Sequence, residues 1–389
     1  MSISYQELLA LARRDVPEVE AEALKTELER GTLMLIDCRE PEEFATGVIP
    51  GAWKVPLASV QKSVLDAGLS TEADVVIYCA VGARSAVAGK LLQDVGFQNV
   101  RNLAGGIARW SNLGFPVVGE DGFTPEQRER YARHLVLPEV GVAGQEKLLA
   151  SRVAVVGAGG LGSPVALYLA AAGVGTLVLV DFDVVDASNL QRQILHNHQR
   201  VGQPKVASAQ TTLEALNPDI RIVSHQTQLQ ASNVLEVLEG CDLVVDGADN
   251  FPTRYLLNDA SLHLRVPVVH GAIFRFEGQV SVFSPYRGPC YRCLFPTPPP
   301  PELTPNCAEA GVLGVLPGII GSIQAMEALK ILLDLGETLQ GRLLLYDALD
   351  QHFQTVSVKR NPACPACGDE TSPPTLIDYD QYCRPVTAV

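Results

Sequence analysis

The 389-residue chain is poor in aromatic residues, at 6%, and contains no run of lysine or arginine. The first shortage counts against an aromatic-filled β-sandwich, and the second against a direct nucleic-acid surface. A formal net charge of −14, from 30 basic and 44 acidic residues, reinforces the second exclusion. Met1 to Glu20 carry acids and no apolar segment, so no signal peptide is expected. Nine cysteines, an odd number, do not close into a complete disulfide framework. The expectation is a cytoplasmic protein whose thiols are free for metal binding or chemistry.

The sequence is rich in other respects. Hydrophobic residues make up 47% and charged residues 19%, enough for a large core and too apolar for wholesale disorder. The length predicts two or three domains at about 150 residues each. Val153 to Val180 is a stretch of 28 residues without a charge, long enough to span a bilayer. It is broken by Gly157, Gly159, Gly160, Gly162, Pro164, Gly173 and Gly175, which fit a strand–turn–helix–strand unit and not a membrane helix.

Two halves separate near Val117–Gly122, where Phe115 to Gly122 is short, Gly-bearing and polar at its end. Before it, Leu33–Ile36 and Val75–Tyr78 read as buried parallel strands and Arg84–Asp94 as a helix ending near Gly96. After it, Val153–Val156, Leu177–Val180, Leu243–Val245 and Pro267–Val269 are strand candidates with helical stretches between several of them. Both halves read as α/β with mostly parallel sheets. No repeat of fixed period is present. Pro296 to Pro305 is proline-rich and is expected to be extended and solvent-facing.

Cys79 ends the strand Val75–Tyr78, and Arg84 and Ser85 follow at the start of a helix. A strand, a tight loop and a helix N-terminus place backbone N–H groups and the positive helix end around the sulfur. Arg84 adds a cation, and together these lower a thiol pKa. The loop Ala80-Val-Gly-Ala83 is shorter than the phosphate cradle of phosphotyrosine-type phosphatases and better sized for one sulfur atom. Ser2 to Val118 resembles the rhodanese family. The resemblance rests on Ile36-Asp-Cys-Arg-Glu-Pro41, Glu43-Phe-Ala-Thr-Gly-Val-Ile-Pro-Gly-Ala52 and Leu103-Ala-Gly-Gly-Ile-Ala-Arg-Trp110. Val48 departs from it, since the family usually has histidine there. The resemblance implies that Cys79 carries a persulfide. Cys38, within a buried strand and without a basic neighbouring loop, reads as a core residue, as does Cys241.

Val153 to Gly162 is a strand running into G-x-G-x-x-G and then a helix, a phosphate-binding turn. Asp181 closes the next strand 19 residues past Gly162, where a ribose-binding acid belongs. That pattern alone specifies a nucleotide or dinucleotide, with NAD the default. Asn189, Arg192 and Lys205 follow, and Asp249 and Asn250 come at the C-terminal end of the run Leu243–Val245. An arginine, a lysine and a carboxylate for a metal suit a triphosphate, and a nicotinamide site needs none of them. Plainer roles stay open for each: a surface ion pair for Arg192, a solvated helix start for Lys205, a turn former for Asp249. From Thr124 to the C-terminus the chain resembles the ubiquitin-activating superfamily, specifically the bacterial adenylyltransferases for molybdopterin synthase and the thiamine sulfur carrier. That resemblance implies that Asp181, Asn189, Arg192 and Lys205 bind ATP, with Gly157, Gly159, Gly160, Gly162 and Asn250 around it, and that Asp249 holds Mg²⁺. Within Arg130-Tyr-Ala-Arg133, it implies that Arg133 reaches into the neighbouring subunit's site, hence a homodimer; the plainer role is a charge on an amphipathic helix.

Cys290-Tyr-Arg-Cys293 and Cys364-Pro-Ala-Cys367 are two C-x₂-C pairs, which together complete a tetrahedral Cys₄ zinc site of structural type. The intervening 70 residues make it a staple between distant segments. Cys307, beside the proline-rich segment, resembles the thioester position of the broader superfamily. It is an acyl acceptor, a disulfide partner of Cys79, or a bystander.

The expectation is therefore a rhodanese-like parallel-sheet domain at 1–118, a linker at 119–123, and a larger Rossmann-like, doubly wound adenylyltransferase domain at 124–389 with a Cys₄ zinc site. Two-domain relatives place the rhodanese-like part last; here it comes first. The implied activity is adenylation of a ubiquitin-like sulfur carrier ending in Gly-Gly, then sulfur transfer, with Cys79, Arg84, Arg133, Asp249 and Cys307 as catalytic residues. ATP, Mg²⁺ and Zn²⁺ are the implied cofactors, and a persulfide donor such as a cysteine desulfurase the second partner. The alternatives are an NAD-dependent oxidoreductase with an accessory domain and a non-catalytic sulfur-relay scaffold.

Overall fold

The computed structural model describes residues 5–31, 33–44, 46–119, 122–298 and 311–379. The chain divides into two compact units, Met1–Ala132 and Arg133–Val389.

The first unit is built on five parallel strands: β1 (Glu18–Val19), β2 (Met34–Asp37), β3 (Trp53–Lys54), β4 (Asp74–Tyr78) and β5 (Asn99–Leu103), in the order β1-β5-β4-β2-β3. β2 and β4 are apolar on both faces because the sheet is covered on both. Ile36 and Ile77 face one core cluster, and Leu35, Val76 and Tyr78 the other. The helix Ala83–Asp94 follows β4 directly.

The second unit carries eight strands: β6 (Arg152–Val156), β7 (Thr176–Val180), β8 (Arg221–His225), β9 (Leu243–Asp246), β10 (Val268–Phe274), β11 (Glu277–Phe283), β12 (Arg342–Asp347) and β13 (His352–Ser357). Their order is β13-β12-β11-β10-β9-β6-β7-β8. The sheet is parallel from β8 to β10, in keeping with the mostly parallel sheet expected, and antiparallel from β10 to β13. The turn at positive φ on Arg275 folds β10 straight back into β11, which a parallel crossover could not do. The uncharged stretch from Val153 to Val180 is β6, the helix Gly162–Ala172 and β7, as its glycines predict. The apolar helix Leu316–Leu333 is long enough to cross a membrane by length alone; in this fold it packs on Gly162–Ala172, β10 and β11.

The nucleotide-type turn depends on close approach. A Cβ on Gly162 would lie 1.8 Å from the Gly157 carbonyl oxygen, so only glycine fits where the helix starts against the loop.

Candidate functional sites

Cys79 is the first residue past β4, and its side chain is 1% exposed. The Gly82 N–H lies 3.2 Å from its sulfur. The floor of the cradle is backbone: the N–H groups of Ile107 and Ala108 donate to the carbonyls of Cys79 and Ala80 at 2.9 and 3.1 Å. A Cβ on Gly106 would sit 2.4 Å from the Cys79 carbonyl oxygen, which accounts for the Gly-Gly pair in the third rhodanese-like signature. Ser85 Oγ is 3.4 Å from the sulfur and 2.6 Å from Asn102 Oδ1. The Cys79 thiol is pulled down to about 4, first by a hydrogen bond with the Cys38 thiol and then, against its burial, by Ser85 and loop amides. That contact and burial push the Cys38 thiol up.

Arg84 does not touch the sulfur. It forms a two-pronged ion pair with Glu43, at 2.6 and 2.7 Å, which holds the Glu43 carboxyl down to about 2. Glu43 is itself placed by a buried anchor. Arg39 pairs with Asp37 at 2.7 Å and donates to the carbonyls of Glu43 and Gly47, pinning the loop that carries Glu43. The signature Asp37-Cys-Arg39 is thus a mount for the cradle, and Glu43 is a functional candidate for which the sequence reading gave no role. Val48 is buried and bridges to Val118, so the position where histidine is usual serves packing.

In the second unit, a crevice opens at the C-terminal ends of β6, β7 and β9. Gly157, Gly159, Gly160, Asp181, Arg192, Lys205, Asp249 and Asn250 all line it. Gly162 lies below the loop, and Asn189 is outside the lining, in a short turn where its Oδ1 accepts the Asp186 N–H. The Asp181 carboxylate accepts the N–H groups of Ala158 and Asp183 at 2.8 and 2.9 Å, and burial pushes its pKa up against the pull of Lys205. Lys205 Nζ pairs with Asp183 at 2.9 Å. Asp249 is exposed at the rim, and Asn250 caps the helix Phe251–Leu264 through the Thr253 N–H.

Three residues were not singled out from sequence: Arg254, which lines the crevice, and Asp246 and His270 behind it. Asp246 accepts the Ala248 N–H with one oxygen and His270 Nδ1–H with the other, at 3.0 and 2.8 Å. Arg254 donates to the Ala248 carbonyl at 2.9 Å. The loop carrying Asp249 is therefore fixed from both sides of Ala248. Burial keeps His270 in its neutral form. These residues come from three different strands or helices, so no local spacing marks them.

Arg133 is exposed on the short helix Ala132–Leu135 and is outside the crevice lining. Cys307 and Cys383 lie outside the described residues, as does most of the proline-rich segment. Cys241 is buried in the core.

The sulfurs of Cys290, Cys293, Cys364 and Cys367 lie within 4.8 Å of one another. Three of their separations are 3.9, 3.7 and 3.4 Å. A tetrahedron with about 2.3 Å zinc–sulfur bonds has edges of about 3.8 Å, so the four thiols match one metal. Arg292, between the first pair, is held by the fully buried Asp259 at 3.0 Å, which fixes the turn bearing both sulfurs.

Comparison with known proteins agrees with this geometry. The ThiF family matches residues 131–366 and a rhodanese-like domain matches residues 20–113. A sulfur carrier protein adenylyltransferase of Thermus thermophilus is 54% identical over 266 residues, covering 67% of this chain and 98% of that protein. The SAMP-activating enzyme E1 of Haloferax volcanii is 57% identical over 258 residues, covering 66% and 95%. The adenylyltransferase and sulfurtransferase MOCS3 of Anopheles gambiae is 50% identical over 255 residues, covering 65% of this chain and 58% of that protein. Among solved structures, Escherichia coli MccB shares the fold, with a TM-score of 0.56 at 19% identity over 65% of this chain and 76% of that one. A glycine-rich crevice with Arg192, Lys205 and Asp249, a Cys₄ cluster later in the sequence and a cradled cysteine earlier in it thus have one common explanation: the chain belongs to the ThiF family and carries a rhodanese-like domain before the family's own.

Proposed function

We propose that the chain adenylates the C-terminal glycine of a ubiquitin-like sulfur carrier ending in Gly-Gly and converts it to a thiocarboxylate with sulfur from a persulfide on Cys79. The observation that carries this reading is the presence in one chain of a glycine-walled crevice lined by Arg192, Lys205 and Asp249 and a thiol held ionised near neutral pH. The relatives named adenylyltransferase and sulfurtransferase support the same pair of activities.

ATP use follows from the family, and the crevice residues divide the labour. Amides of the Gly159–Gly160 turn, with Arg192 and Lys205, suit the triphosphate, and Asp181 suits the ribose. The carrier carboxylate attacks the α-phosphate and pyrophosphate leaves, which turns a poor electrophile into a mixed anhydride. Asp249, exposed at the rim, would hold Mg²⁺, whose charge neutralises the phosphates. Arg133 would act in the partner subunit of a homodimer, where an arginine stabilises developing phosphate charge. Zn²⁺ in the Cys₄ cluster would staple the turn at Cys290–Cys293 to the one at Cys364–Cys367.

The Cys79 persulfide then attacks the anhydride, AMP leaves, and an acyl disulfide joins carrier to cradle. A thiol releases the thiocarboxylate from it; Cys307 has been given that place above as one of its three roles. Because Glu43 neutralises Arg84, the cradle offers little to a small dianionic sulfur donor. That favours a persulfide delivered by another protein, such as a cysteine desulfurase, in the cytoplasm. The NAD-dependent alternative gains nothing from the crevice, whose Arg192 and Lys205 answer a triphosphate.

The test is pyrophosphate exchange into ATP, driven by carriers ending in Gly-Gly, with intact-mass detection of the carrier adenylate and of the oxygen-to-sulfur exchange. Loss of exchange in Asp249→Ala, with folding intact, supports catalysis; unchanged exchange would favour the relay scaffold.

A further inference from the structure

Cys38 is buried, as its sequence context predicts, yet it is not an ordinary core residue. β2 and β4 run parallel in register up to the pair Asp37↔Tyr78, and the Cys38 N–H continues the ladder to the Tyr78 carbonyl at 2.9 Å. Cys38 and Cys79 are the next residues along each strand. Side chains alternate across a sheet, so residues two apart share a face. Ile36 with Cys38, and Ile77 with Cys79, all belong to the same core cluster, whereas Leu35, Val76 and Tyr78 belong to the opposite one. Two cysteines therefore stand side by side on neighbouring strands, on one face. Parallel strands lie about 4.8 Å apart, and disulfides form across Cα separations of about 4.4 to 6.8 Å. The backbone already provides disulfide spacing.

We infer that Cys38 is the resolving thiol of this domain, the group that cleaves a disulfide formed on Cys79 and releases the outer sulfur. The inference rests on the proposed sulfur transfer only for the identity of what is released. In that reaction the acyl disulfide on Cys79 is the substrate. The Cys38 sulfur attacks the Cys79 sulfur, and the bond between it and the thiocarboxyl sulfur breaks. The electron pair leaves with the thiocarboxylate, and the Cys38 proton follows it. The products are the carrier thiocarboxylic acid and a Cys38–Cys79 disulfide, so atoms and electrons balance. A dithiol reductant then restores both cysteines.

The arrangement suits the step. A thiocarboxylate is a weakly basic leaving group, and disulfide exchange is faster the weaker the leaving thiol. While Cys79 is anionic, the Cys38 proton is shared with it and Cys38 is unreactive. Once Cys79 is capped, its negative charge no longer raises the Cys38 pKa, while burial still holds it up. The acyl disulfide differs from the persulfide in its leaving group: a thiocarboxylate departs more readily than sulfide, which favours attack after acyl loading.

The experiment needs no carrier. The full chain, zinc-loaded and reduced, is treated with an aromatic disulfide whose thiolate is coloured on release. That reagent caps Cys79 as a mixed disulfide with a weakly basic leaving thiol. Wild type is expected to release about two equivalents attributable to this domain, as the difference from Cys79→Ser, and to yield a Cys38–Cys79-linked peptide on digestion under non-reducing conditions. Cys38→Ala and Cys38→Ser are expected to stop at about one equivalent with the mixed disulfide on Cys79, in variants whose urea unfolding transition of the first unit matches wild type and so shows the cradle folded. A stable mixed disulfide on wild-type Cys79, or a link from Cys79 to Cys307 in place of Cys38, would overturn the inference. So would failure of Cys79 to react in an intact chain, since a cradle closed to a small disulfide is closed to a carrier tail. Carrier-driven pyrophosphate exchange does not involve Cys38, so its loss would count against the proposed function and leave this result standing.

Discussion

The two sites of this chain are built in opposite ways. The Cys79 cradle is local and tight: strand, four-residue loop and helix follow one another in sequence, and the sulfur is 1% exposed. The nucleotide-type crevice is dispersed and open, with side chains drawn from the ends of β6, β7 and β9 and from the helix starting at Lys205. A persulfide has one reactive atom and needs a few amides around it. A triphosphate spreads its charge over a longer path and needs cations from several segments. The size of the reacting group thus decides how much of the fold each site consumes.

That contrast is broken most directly by single substitutions in each site. Cys79→Ala is expected to abolish thiocarboxylate formation and leave carrier-driven pyrophosphate exchange intact. Lys205→Ala is expected to lower exchange by about 10²- to 10³-fold, the usual cost of one transition-state donor, and to leave Cys79 reactivity unchanged. Rates of exchange and of thiol alkylation, measured on both variants, check the pair. Loss of both activities in either variant would mean the sites are not separable.

The scaffolds should fail differently as well. Chelating the metal expected in the Cys₄ cluster removes a link between distant segments and should cost several kcal/mol, about 2–4 °C of Tm per kcal/mol for a unit of this size. In the first unit, Arg39→Ala leaves the buried Asp37 carboxylate unpaired and should cost about 3–5 kcal/mol, read by urea unfolding. Calorimetry showing the two effects in separate transitions would sharpen the comparison.

Much of this was legible in the sequence. β2, β4, β6, β7, β9 and the start of β10 announce themselves as short apolar runs, and the glycines of Gly157–Gly162 carry their own steric reason. The two C-x₂-C pairs meet where their spacing predicts. The antiparallel strand β13 did not show, because it is exposed along its whole length and has no buried apolar face. The Cys38–Cys79 pairing was equally hidden: each cysteine looks ordinary alone, and only the register of β2 against β4 puts them together. Arg84 was expected to act on the sulfur. It is engaged by Glu43, a partner 41 positions away in sequence that no local pattern reveals.

The cradle also titrates apart from the crevice. With its pKa pulled down to about 4, Cys79 is a thiolate above that pH and gains its proton as pH falls through it. Iodoacetamide alkylation of Cys79 should therefore be nearly flat from about pH 6 to 8 and fall below about pH 4. A midpoint near the ordinary thiol value of about 8.5 would show that Cys38 and the amides do not hold the anion. The smallest effect is expected from Glu43→Gln. A partly exposed ion pair contributes only about 0–1 kcal/mol to stability, so the fold should barely change. Freed Arg84 should instead raise the rate with thiosulfate, measured as sulfane transfer to cyanide.

The central claim is that one chain both activates a carboxylate and supplies the sulfur that replaces its oxygen. Its most direct measurement is intact-mass analysis of a carrier ending in Gly-Gly after incubation with ATP and persulfide-loaded protein, comparing wild type with Cys79→Ala. The account predicts thiocarboxylate from wild type and carrier adenylate, without thiocarboxylate, from the variant. Thiocarboxylate at equal yield from both, or no adenylate from either, would contradict it.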